Sequence, residues 1–142
     1  MVKFLIVKAF IEKIWEFWTL PEHIMKWSTA SPDWHVPCAT NDLRVGGKFL
    51  TRMEARDGSV GFDFGGTYTA VVENELIEYV MEDGRKAKIT FEKIDDASCR
   101  VTESFDPENE NPTEMQKAGW QAILDNFKKY AEGEKYTEGG EV

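Results

Sequence analysis

The stretch Asn111-Pro112-Thr113-Glu114, continued as MQKAGWQAILDNFKKYAEG through residue 133, decides the architecture. Asn111 is placed to cap a helix, Pro112 suits its first position, where no backbone N–H is needed, and Glu114 at the third position completes a capping box. From Pro112 the pattern runs unbroken to Glu132, with Gly133 expected as a left-handed terminator, giving a helix about 31 Å long at ~1.5 Å per residue. Met115, Gly119, Ala122, Ile123, Asn126 and Tyr130 fall on one stripe, and Trp120, Leu124, Phe127 and Ala131 widen it. A stripe this broad requires a broad apolar partner.

The rest of the chain supplies that partner. Val2 to Phe10 is β-branched and aromatic, as a strand would be, and the period then changes: Ile11, Ile14, Trp15 and Trp18 follow helical spacing. Pro21 opens a second short helix carrying Ile24, Met25 and Trp27. Ser28 to Asn41 contains Pro32 and Pro37 and reads as an irregular connection with a short extended piece at Trp34-His35-Val36. Turn residues then recur at Gly46-Gly47, Asp57-Gly58, Gly65-Gly66, Asn74, Asp83-Gly84 and Asp95-Asp96, the signature of an antiparallel meander. Asp57-Gly58 and Asp83-Gly84 are expected as type I′ turns and the double glycines as bulges that curl the sheet. The expected fold is α+β: a curved antiparallel sheet around a long C-terminal helix, with two short helices after the first strand. One domain is expected over residues 1–133, with 134–142 a polar, disordered tail.

Composition bounds the function. The chain has 142 residues, 42% hydrophobic and 30% charged, which is globular, and no apolar run approaches the ~20 residues of a membrane span. The opening MVKFLIVKAF is interrupted by Lys8 and lacks a cleavage site, so it reads as a strand of a cytoplasmic protein. Cys38 and Cys99 are expected as free thiols. Seventeen basic against twenty-six acidic residues give a net charge of −9, with ten acids and four bases between Glu103 and Val142. Nucleic acid is therefore excluded as a partner, since a phosphate backbone is bound by clustered Lys and Arg, and no membrane association is expected.

Taken together, the order of elements and the segments Trp18-Thr19-Leu20-Pro21-Glu22 with Trp27, Asp42-Leu43-Arg44-Val45-Gly46-Gly47-Lys48-Phe49, Gly66-Thr67-Tyr68 and Gly119-Trp120-Gln121 resemble a known family. It is the family of the activator of heat-shock-protein-90 ATPase, within the START-like (SRPBCC) superfamily. The resemblance spans about residues 3 to 132. It implies the helix-grip fold and a cavity between sheet and C-terminal helix, which in the superfamily holds lipids, polyketides or hormones. It also implies a chaperone as a possible partner.

Alternation places Phe49, Thr51 and Met53; Val60, Phe62 and Phe64; Ile77, Tyr79 and Met81; Ala87, Ile89 and Phe91; and Cys99, Val101 and Phe105 on the inner face, as core or as cavity wall. Glu103 shares the parity of Val101 and Phe105. Buried, it would be a proton donor, a base or an anchor for a ligand hydroxyl; at a solvated strand end it would be an ordinary surface carboxylate. Asp63 has outward parity, and Arg44 and Arg52 are expected in surface pairs. Gly119, costly inside a helix, marks either room for a ligand or close approach to the sheet. His35 and Cys38 are three apart but lack further ligands, so no metal is expected. No nucleophile elbow, phosphate-binding loop or dinucleotide fingerprint occurs, and no cofactor is expected.

The first reading is binding, without catalysis, of a small apolar molecule by Trp27, Trp34, Phe49, Phe62, Phe64, Tyr79, Phe91, Glu103, Gly119, Trp120 and Ile123. The alternatives are a cyclase- or hydrolase-type enzyme with Glu103 as acid or base assisted by His35, and a module acting on a chaperone.

Overall fold

Alternation carries the sheet. In the computed structural model, which describes residues 2–29, 31–107 and 113–133, seven strands form one antiparallel sheet. They are β1 (Val2–Val7), β2 (Trp34–Asn41), β3 (Lys48–Ala55), β4 (Gly61–Val72), β5 (Leu76–Met81), β6 (Lys86–Asp95) and β7 (Ser98–Phe105). The spatial order β1-β7-β6-β5-β4-β3-β2 pairs the first strand with the last and leaves β2 at the far edge. Helices α1 (Ile11–Thr19) and α2 (Pro21–Trp27) follow β1, and α3 (Thr113–Gly133) lies against the inner face.

That face is the one the alternation picks out, except for Val60, which precedes β4 and is 56% exposed. Leu5 and Val7, Ile77, Tyr79 and Met81, Ala87, Ile89 and Phe91, and Cys99, Val101 and Phe105 are all buried. Leu124, Phe127 and Ala131 of α3 and Ile14 and Phe17 of α1 close over them, so the densest packing sits under the C-terminal half of α3. Polar ties fix the helices in place. His23 Nδ1 and the Tyr130 hydroxyl are hydrogen-bonded at 2.6 Å, Asn126 donates to Thr29 O at 2.6 Å, and Lys128 donates to Ile6 O at 2.5 Å.

Several local expectations are corrected. Trp34–Asn41 is a full eight-residue strand, not an irregular connection with a short extended piece. Pro37 is tolerated because β2 is an edge strand, and the register slips between His35 and Cys38. Gly65 and Gly66 form no bulge: they pair in unbroken register with Leu50 and Phe49. They are glycine because neighbouring strands crowd them. A Cβ at Gly65 would lie 2.8 Å from Phe49 O, and one at Gly66 2.7 Å from Val80 O. The irregularity falls instead between Tyr68 and Ala70, which turns Val71 toward the core.

In the Asp57-Gly58 and Asp83-Gly84 turns only the glycines are left-handed, at φ +79° and +93°. Gly58 N–H donates to Ala55 O and Gly84 N–H to Met81 O, so these are not type I′ turns, which need positive φ at both central residues. Gly133 is the last helical residue and is not left-handed. The cap at Asn111 and Pro112, the Met115 side chain and the expected tail lie outside the described residues. Among the described residues no helix is long and apolar enough to cross a membrane.

Candidate functional site

Under the N-terminal half of α3 the packing opens into a cavity of about 260 Å³. Its sheet wall consists of Phe49, Thr51 and Met53 of β3, Phe62, Phe64 and Tyr68 of β4, Ile77 and Tyr79 of β5, Ile89 of β6 and Glu103 of β7. Trp120 and Ile123 of α3 form the opposite wall, and Trp18, Thr19, Ile24, Trp27 and Ser28 of the helical pair, with Thr40 of β2 and Arg85, complete it. Phe62, 49% exposed, stands at the mouth.

The aromatic side chains brace one another into a stiff wall. Phe49 meets Tyr79 edge-on with ring centres 4.7 Å apart, Trp18 and Trp27 lie 4.8 Å apart, and Trp120 packs on Phe105 at 4.4 Å while reaching Phe64 at 6.2 Å. Rings held this way cannot easily collapse into the space they border.

Among the polar groups of the lining, Tyr68, Tyr79 and Glu103 differ in how they are satisfied. The Tyr68 hydroxyl donates to Asn41 Oδ1 at 2.5 Å, and Asn41 Nδ2 donates to Thr19 O at 2.7 Å, a chain joining β4, β2 and α1. Burial raises the Tyr68 pKa, so it stays a neutral donor. The Tyr79 hydroxyl, in a residue 7% exposed, meets no hydrogen-bonding partner among the described residues. Its pKa is pushed well up, first by burial and then by the nearby Glu103 carboxylate. Glu103 is 3% exposed and also meets no partner among the described residues. Desolvation raises its pKa to about 8, so at neutral pH it carries a proton and can donate. Arg85, also in the lining, is tied to the turn by Nε donating to Asp83 Oδ2 at 2.8 Å.

This curved sheet and long helix agree with the known proteins the chain resembles. Residues 8–132 match the family described as Activator of Hsp90 ATPase homolog 1-like protein. The chain belongs to that family. It is thereby a member of the START-like (SRPBCC) superfamily, with the helix-grip fold. A solution structure of a Cytophaga hutchinsonii protein is 52% identical with a TM-score of 0.81, covering 99% of this chain and 96% of that one. The AHSA1-like protein from Aeromonas hydrophila is 39% identical with a TM-score of 0.86, covering 100% and 99%. The di-domain ARO/CYC StfQ from the steffimycin biosynthetic pathway, 15% identical with a TM-score of 0.69, covers 93% of this chain and 45% of its own and shares the fold alone. No curated protein matches.

In this family member, Trp27, Phe49, Phe62, Phe64, Tyr79, Glu103, Trp120 and Ile123 line the cavity. Four other candidates stand elsewhere. Trp34 lies behind Phe62, ring centres 5.8 Å apart, outside the lining. Phe91 has the inner parity but is covered by Trp15 at 5.2 Å and Trp18 at 5.8 Å. Gly119 borders neither cavity nor sheet: a Cβ there would meet no described atom within 4 Å. His35 sits on the edge strand with Nε2 3.9 Å from Glu54, outside the cavity, so it cannot assist Glu103.

Cys38 is exposed, Cys99 is buried, and no group of three potential metal ligands occurs among the described residues. Asp63, Arg52 and Arg44 are in surface pairs. Sequence reasoning missed Trp18, Thr19, Ile24, Ser28, Thr40, Tyr68 and Arg85 as wall residues. Trp18 and Ile24 gave a signal, through their places among the apolar residues of α1 and α2.

Proposed function

We propose that the chain binds a small, mainly apolar molecule in the cavity between sheet and C-terminal helix. The observation that carries this reading is the about 260 Å³ aromatic cavity with a buried, unpartnered carboxyl on its wall. Proteins rarely leave a buried polar group without a partner, and an occupant supplying that partner removes the penalty. Apolar burial against the rings would provide the affinity, at roughly 25 cal/mol per Å² before ordering costs. An enzymatic role through Glu103 lacks the expected assistant, because His35 is outside the cavity.

The test is an NMR titration of labelled protein with pooled fatty acids, flavonoids and polyketide-like aromatics. Saturable shifts concentrated on the Trp27 and Trp120 indoles and on the Tyr79 and Ile123 amides are expected, with Phe4 and Ile94 on the outer face unmoved. Absence of any such shift would count against the reading. A chaperone-activating role would then be examined by its own signature, a saturable change in chaperone ATPase rate that persists when Ile123→Trp fills the cavity.

A further inference from the structure

Two unpartnered groups share one wall, and their placement narrows the chemistry of the occupant. Ala87 of β6 pairs with Tyr79 on one side and Phe105 on the other, while the next inner residue, Ile89, pairs with Ile77 and Glu103. Tyr79 and Glu103 are therefore one strand apart on either side of β6, in adjacent rows of the same concave face. Ala87 and Ile89 are the inner residues of β6 that stand between them in the register. Both are more than nine-tenths buried, both border the cavity, and neither meets a hydrogen-bonding partner among the described residues.

We infer that the Tyr79 hydroxyl and the Glu103 carboxyl together receive one oxygen of the occupant, so that the ligand class is an apolar, ring-bearing molecule with a carbonyl group. This rests on the cavity-binding reading and specifies the ligand.

The chemistry follows from what each group can offer. A phenol and a neutral carboxylic acid are both O–H donors, and a carbonyl oxygen has two lone pairs to accept them. At neutral pH both protons are in place, since burial holds each group above its ordinary pKa. An ammonium-bearing ligand would require Glu103 to give up its proton, and a bare hydrocarbon would leave both donors unsatisfied. The charged and titratable groups around Glu103 are few. Lys3 lies opposite in register on β1, Arg85 and Tyr79 border the cavity, β6 turns Ala87, Ile89 and Phe91 inward, and α3 presents Trp120 and Ile123.

Three probes with one skeleton test this: benzophenone, diphenylmethane and diphenylmethylamine, titrated calorimetrically from pH 6 to 9.5. Benzophenone should bind about tenfold tighter than diphenylmethane at pH 6.5, the worth of one to two hydrogen bonds. Its affinity should fall as pH rises through about 8, where Glu103 loses its proton. Tyr79→Phe should lose several-fold of this preference. Glu103→Gln, which keeps an N–H donor but cannot titrate, should retain benzophenone binding within a few-fold and lose the pH dependence. Equal binding of benzophenone and diphenylmethane would overturn the paired-donor inference while leaving the cavity reading intact. Tightest binding of the amine, strengthening with pH, would also overturn it. Failure of all three to bind would overturn the cavity reading and this inference together.

Discussion

The two halves of α3 lie on the same sheet face yet do opposite things. Toward its C-terminus, Leu124, Phe127 and Ala131 are buried where α3 meets β1, α1 and α2. One and a half turns earlier, Trp120 and Ile123 stand half-buried over open space. Apolar periodicity is the same in both halves, so the stripe alone does not distinguish core from cavity. The difference comes from what faces it. Aromatic rings meet both halves, since Phe127 packs edge-on against Trp18 and Trp27 at 4.8 Å, but in the sealed half the rings close on one another, whereas the open half faces Tyr79 and Glu103 across the cavity.

Substitutions can break this contrast. Phe127→Ala should have the largest effect, a loss of about 3–5 kcal/mol in urea unfolding, because the void cannot collapse. Trp120→Ala, whose ring already borders open space, should cost less stability and should abolish the ligand-induced shifts instead.

Next comes Glu103→Gln, whose effect depends on pH. Below about 4.5 the carboxyl is protonated in folded and unfolded chains alike, and the variant is neutral. Between about 4.5 and 8 the unfolded chain releases the proton while the folded protein keeps it, so wild-type stability falls with rising pH. The variant should therefore gain on wild type through that window by about 1.4 kcal/mol per pH unit, reaching about 5 kcal/mol at most, and level off above it. Equal stabilities at pH 5 and pH 8.5 would mean that Glu103 is hydrated.

Gly119→Ala should raise stability by up to about 1 kcal/mol, read as a higher urea midpoint, since the helix gains propensity and no described atom obstructs the methyl group. Asp63→Asn, which removes an exposed partner of Arg52, should change stability by about 0.5 kcal/mol or less.

Much of this was legible in the sequence because burial on a sheet obeys a period of two. Parity alone brought Tyr79 and Glu103 to the inner face, and the α3 stripe located both its sealed and its open residues. Parity does not say which row of a sheet is covered, however, and Phe91 shows it: the right face, but under Trp15 and Trp18. Trp34 and His35 failed for a related reason, since an edge strand containing Pro37 has no clean alternation, and its pairing with β3 is a long-range property. The contribution of α1 and α2 to the wall depends on how the helical pair docks, fixed by contacts such as Trp27 Nε1 donating to Phe17 O at 2.9 Å and Asn126 to Thr29. Gly65-Gly66 carried a signal that pointed to the wrong cause: in a strand, paired glycines mark either a bulge or crowding by neighbouring backbone, and only the register separates the two.

The central claim is that a buried carboxyl, raised in pKa by desolvation, forms part of a cavity wall ready for an occupant. The most direct measurement is the pH titration of the Glu103 side-chain carboxyl carbon by NMR, in protein without ligand. A midpoint near 8 is the result this account predicts. A midpoint in the ordinary carboxylate range, about 4 to 5, would show the group in contact with water and contradict it.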